Sequence, residues 1–210
     1  METQKPKNKI VTWLFNPFYY LAGGKAMGIG LIIMVISGLL CYFSNSHFDG
    51  VLDFHMGAKA PIWFSLAEGI IDWVSFVIPL IVFGMLLSKT RFRVLDVFGT
   101  QALARFPALF MVLTAFVPGY QGLIAKLVNI TPTNAVSVLT ENIGAVIILI
   151  AISMVILVLV IWMITLMYRA FAVSCNVSGW KAVIWFIVAI IVAEAISKII
   201  IYSIAYSIHL

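Results

Sequence analysis

Five stretches of this chain, near residues 26–44, 70–88, 97–118, 143–168 and 182–207, each run for about 18 residues or more with almost no charge. That is the length at which a helix crosses the hydrocarbon of a bilayer. The charged side chains inside them are Asp72, Arg105, Glu194 and Lys198. Period-two alternation is absent, and unpaired backbone is intolerable in lipid, so the stretches read as helices rather than strands. Composition agrees: hydrophobic residues make up 63% and charged residues 10%, against about half and about a quarter in a soluble domain. The fold expected is an all-α integral membrane protein, a bundle of five transmembrane helices.

The basic residues orient that bundle. With the N-terminus inside, Lys5, Lys7, Lys9, Lys25, Lys89, Arg91, Arg93, Arg169 and Lys181 fall on the inner side, and only Lys59 and Lys126 fall outside. This positive-inside asymmetry predicts a cytoplasmic N-terminus and an outer C-terminus. It also accounts for the net charge of +5 without nucleic acid. The chain divides into an N-terminal segment, residues 1–25, and a membrane domain, residues 26–210. Within the first, residues 10–24 carry Trp13, Phe15, Phe18, Tyr19 and Tyr20 around Pro17, the pattern of an interfacial aromatic segment lying at the inner headgroups. Residues 119–142 form an outer loop in which Leu123, Ile124, Leu127 and Val128 share one helical face up to Pro132.

The catalytic inventory is empty of known patterns: no H-E-x-x-H, G-x-S-x-G, P-loop or paired C-x-x-C occurs. No enzyme activity and no cofactor are expected. Cys41 and Cys175 fall on opposite sides of the membrane, which excludes a disulfide between them. His47, Asp49, Asp53 and His55 crowd one outer loop as H-x-D-x3-D-x-H. They are possible metal ligands, with a solvated loop as the expected reading. Glu68 and Asp72 lie one helical turn apart and read as a wet helix start. Gly24 and Gly28, followed by Gly30, form a G-x-x-x-G through which a second helix can approach closely.

The four charges within the spans need partners, because an ionised group in mid-membrane costs about 2.5–3.5 kcal/mol or more. Glu194 precedes Lys198 by one turn, the favourable order for a helical pair. Arg105 lies at a depth similar to Glu194, and Asp72 at one closer to Lys198. The expectation is a cluster of Arg105, Glu194, Lys198 and Asp72, with spans three and five touching at Arg105 and Glu194.

The lead Trp13-Leu-Phe-Asn-Pro17, the five spans and the opening of span three, Phe98-Gly-Thr-Gln-Ala-Leu-Ala-Arg-Phe-Pro107, resemble the Yip family, membrane proteins named for interacting with Ypt/Rab GTPases. The likeness is to its small bacterial members. It implies a partner-binding or membrane-organising protein of trafficking type, sited in a bacterial inner membrane. Membrane lipids and a protein, in the membrane or at its cytoplasmic face, are the implied partners. The family's eukaryotic members carry Asp-Leu-Tyr-Gly-Pro in a long polar lead. Here the nearest string, Asp96-Val-Phe-Gly99, follows span two and lacks the proline, so Rab binding does not carry over. The alternative is a small transporter or channel subunit using Arg105, Glu194 and Lys198, since buried ionisable groups line pathways.

Overall fold

The computed structural model describes residues 9–128, 131 and 140–209. Lys5, Lys7, Pro132 and the side chains of Lys9, Leu123, Lys126, Leu127 and Val128 lie outside what it describes. The elements in chain order are α1 (Lys9–Phe15), α2 (Gly23–Ser44), the two short strands β1 (Ser46–His47) and β2 (His55–Met56), α3 (Ile62–Leu87), α4 (Val94–Ala104), α5 (Phe106–Thr114), α6 (Tyr120–Val128), α7 (Ile143–Ser174) and α8 (Gly179–Ser207). Among the described residues five helices are long and apolar enough to cross a membrane: α2, α3, the α4–α5 pair, α7 and α8. The fold is the expected five-span helical bundle, compatible with an integral membrane protein in contact with lipid.

Helix bounds differ from the apolar stretches read in sequence by up to eight residues, most at the start of α3 and the end of α7. α3 starts at Ile62 rather than near residue 70, because Pro61 supplies the extended residue before the first turn. α7 continues to Ser174 and α4 begins at Val94. Pro79 is buried within α3 and does not end it. The third span does break: Arg105 leaves the helical region with ψ at 2°, and Pro107, which has no N–H to donate, sits in the first turn of α5.

α2 is central and packs on α3 and on α4. α8 lies against α3, and α7 lies against α4 and α5. Phe76, Leu80, Met111, Met167 and Phe171 are fully buried between them. Phe186 of α8 meets Phe76 at 5.9 Å and Tyr168 of α7 at 5.3 Å between ring centres. The bundle has a loop end, carrying residues 45–61 and α6, and a turn end, carrying the 88–93 and 175–178 connections. α6 is fixed at the loop end by Gln121, whose Nε2 donates to the Ser44 carbonyl at 3.2 Å.

The segment before α2 is tied to the bundle. A 3₁₀ turn at Pro17–Tyr19 follows α1, Trp13 stacks on Tyr20 at 5.2 Å, and Phe18 is buried in the core. Trp162 Nε1 of α7 donates to the Leu14 carbonyl at 2.8 Å. Both free cysteines are buried, Cys41 in α2 and Cys175 just beyond α7. Burial pushes the Cys175 thiol up to about 12, so it is not poised as a nucleophile.

Close packing of α2 on α4 is made by glycines other than Gly24 and Gly28. A Cβ on Gly30 would fall on the backbone of Ala102, and one on Gly99 would fall on the Gly23 carbonyl oxygen. A Cβ on Gly24 or Gly28 would meet nothing within 4 Å. Gly23 and Gly30 are two turns apart and share a face, whereas Gly28 points away from it.

Candidate functional site

The polar residues of the sequence gather at and just below the loop end. α2 stops at Asn45, whose left-handed backbone (φ 52°) reverses the chain. β1 then pairs antiparallel with β2, His47 opposite His55. The turn between them folds onto the bundle. Val51 is fully buried, and Phe48 is buried with its ring 5.1 Å from that of Phe54. The loop read in sequence as solvated is therefore a packed cap. Its burial comes from Phe48 and Val51, which carry the flanking polar groups down with them.

His47 is wedged between two acceptors. Its Nδ1 lies 2.8 Å from Glu68 Oε1, and its Nε2 lies 2.8 Å from the Ala58 carbonyl oxygen. A carbonyl only accepts, so Nε2 carries a proton. The Nδ1···Oε1 contact then holds one more, shared between imidazole and carboxylate. The Phe48 N–H donates to Glu68 Oε2 at 3.4 Å. Burial opposes a charged ring here, but the hydrogen bond and charge of Glu68 outweigh it and raise His47 above its ordinary value. A group raised on folding stabilises the fold below its ordinary pKa, near 6.5 for His47, and loses that contribution as pH rises through the folded value. Thermal stability is expected to fall as pH rises above about 6.5, and His47→Gln to flatten that slope. An unchanged slope in the variant would assign the effect elsewhere.

Glu68 is 1% exposed and Asp72 is fully buried, which corrects the reading of a wet helix start. α3 begins two turns before Glu68, so both carboxylates lie inside the bundle. Asp72 Oδ2 accepts from Arg105 Nη2 at 3.2 Å, and Arg105 is 3% exposed at the α4–α5 break. Arg105 thus meets Asp72 of α3 and not Glu194. The expected contact of spans three and five at these residues is replaced by the packing of α8 on α3. Matching depth sets how far along a helix a charge lies, and leaves open which neighbour its face meets.

Glu194 and Lys198 serve the cap instead. Lys198 Nζ donates to Asp53 Oδ2 at 2.7 Å and lies 3.5 Å from Glu194 Oε1. Glu194 Oε2 accepts from the Leu52 N–H at 3.2 Å. Tyr202 donates its hydroxyl hydrogen to Asp49 Oδ2 at 3.0 Å. Glu194, Lys198 and Tyr202 are spaced four apart and form one stripe on α8. A side chain at Gly50 would collide with the Glu194 carboxylate, so the turn passes directly over that stripe.

The four loop residues read as possible metal ligands are divided. His47 belongs to Glu68, while ligand atoms of Asp49, Asp53 and His55 all lie within 4.8 Å of one another. Ser37, Ser65 and Tyr202 were missed in sequence. The serines and Arg105 line a cavity of about 10 Å³ with Met34, Gly38 and Ala108. Two serines facing one arginine at 3–5% exposure give space and partners for a single water molecule. Tyr202 was legible only as the third member of the i, i+4, i+8 series begun by Glu194.

Chemically, the assembly holds a shared proton at His47, an ion pair across two spans at Arg105, and a cluster of Asp49, Asp53 and His55 in the loop. No family model matches this chain, and neither a curated protein nor a solved structure matches it.

Proposed function

We propose that this is a non-catalytic, partner-binding membrane protein of the Yip type. It organises other proteins in a bacterial inner membrane, with its N-terminus cytoplasmic and its C-terminus outside. The observation that carries the reading is the outward face of α2. Gly24 and Gly28 are exposed with open space beyond them, while Gly23, Gly30 and Gly99 do the packing within the chain. Small residues four apart let a second helix approach closely in lipid, where hydrophobicity itself drives no association. The paired charges support the same reading, since the buried Arg105 and His47 and the half-buried Lys198 each pair with an acid of the chain. The orientation is supported by the basic residues at the turn end.

The test is photo-crosslinking in native membranes from a probe at Ile32, which is 62% exposed one turn beyond Gly28. A discrete protein adduct is expected, and Gly28→Leu should abolish it without lowering thermal stability, because none of the described residues comes within 4 Å of a Cβ there. Lipid adducts alone, or an adduct indifferent to Gly28→Leu, would overturn the reading. In the same cells a membrane-impermeant thiol reagent should label Lys59→Cys and spare Arg91→Cys.

One observation favours a second reading, a small transporter or channel subunit: a broken helix presents Arg105 to a small cavity that Ser37 and Ser65 also line. Proteoliposomes separate the two, with ion or solute flux on this reading and none on the first.

A further inference from the structure

Beside His55 the cap holds more negative charge than the one cation there balances, since Lys59, the loop's other cation, stands over the Tyr42 ring. Asp49, Asp53 and Glu194 gather around Lys198, and His47 and Glu68 cancel one another when both are charged. Two negative charges are left over beside the half-exposed imidazole of His55.

Two of these carboxylates are held from behind. Asp49 Oδ2 accepts from the Tyr202 hydroxyl, and Asp53 Oδ2 accepts from the Lys198 ammonium. Each keeps its other oxygen. This is the way outer groups orient ligating carboxylates in metal sites. Asp49 Oδ1 marks the place. The Asp49 side chain is 10% exposed, this oxygen is shielded from solvent, and no hydrogen-bond donor reaches it. It faces Nδ1 of His55 at 3.4 Å without a hydrogen bond between them. Burying a carboxylate oxygen without a hydrogen bond is costly, and a cation relieves that cost. The separation is also informative. Two ligands about 2.0–2.1 Å from a tetrahedral ion lie roughly 3.3–3.4 Å from each other. Asp49 and His55 already stand at the length of such an edge. Asp53, the third corner, lies within 4.8 Å; Lys198 holds its Oδ2, and its side chain is 42% exposed.

We infer that Asp49, Asp53 and His55 bind one divalent transition-metal ion of the zinc class, through one oxygen of each carboxylate and the His55 imidazole, with water as the fourth ligand. An imidazole nitrogen selects this class over magnesium and calcium, which take oxygen. The ion supplies the missing positive charge, and the exposed side of His55 is its route in. His47 is not a ligand, because Glu68 and Ala58 occupy both its nitrogens. Lys198 and Tyr202 are positioning residues.

The full chain, purified in detergent and stripped with chelator, should bind one equivalent of Zn2+ by calorimetry. Co2+ should show the visible absorption of a tetrahedral site. His55→Ala should weaken Zn2+ at least about tenfold, and Tyr202→Phe, which frees the back of Asp49, about tenfold. His47→Gln should leave the stoichiometry at one. His55 is half-exposed and its variant keeps the cap's other contacts, so an unchanged thermal midpoint will show that the fold persists. Asp49→Asn is the second variant and should abolish the cobalt spectrum. Substoichiometric binding, or a site of equal affinity in His55→Ala, would mean adventitious metal only and would overturn the inference.

Discussion

Arg105→Leu is expected to destabilise the protein by about 3–5 kcal/mol, and adding Asp72→Asn to recover much of that loss. The single change strands a fully buried carboxylate on α3 whose guanidinium partner was 3.2 Å away. The double change removes both charges, and a buried ion pair replaced by neutral groups is often no less stable than the pair itself. Unfolding in detergent measures the cycle. Equal losses in single and double variants would mean that the two side chains do not meet. The matching cycle of Arg105→Leu with Glu194→Ala should be additive to within about 0.5 kcal/mol, since Glu194 spends its oxygens on Leu52 and Lys198.

Gly99→Val should cost about 3 kcal/mol or more, the upper range for overpacking. The added Cβ falls on the Gly23 carbonyl oxygen. A backbone atom cannot swing aside as a side-chain tip can, so α2 and α4 must part along their contact. Gly30→Val meets the Ala102 backbone in the same way. Gly28→Leu, on the same helix but facing outward, is the control. Thermal midpoints in detergent that fell equally for all three would contradict the assignment of faces.

The span count was legible because length and hydropathy act over about 20 residues at a time, and no local detail overturns such a sum. The start of α3 was not. Residues 62–69 include Ser65 and Glu68 and look wet until His47 arrives from another part of the chain to cover them. The intramembrane charges were legible as residues needing partners and illegible as pairs. Rise per residue fixes depth, whereas the helix that stands beside Arg105 depends on how α8 settles on α3. The loop donors were visible in their spacing. Their separation into a His47–Glu68 pair and an Asp49–Asp53–His55 cluster was not, since it follows from the pairing of β1 with β2 and from the burial of Val51. The G-x-x-x-G showed that α2 offers a small-residue face, but it took the neighbouring Gly23 and Gly30 to show which face the chain itself uses.

The clasp between the loop and α8 also sets an order of events. Leu52, Asp53 and Asp49 bond to residues 142, 145 and 153 positions further along the chain. During synthesis the first two spans and their connection are complete long before Glu194, Lys198 and Tyr202 exist. Until then the loop's carboxylates have only water and the imidazoles of their own hairpin for company. Loop closure over such a distance is entropically expensive and late. The helix that seals the first loop is therefore made long after that loop, and a chain stalled before residue 194 leaves that end of the bundle uncapped.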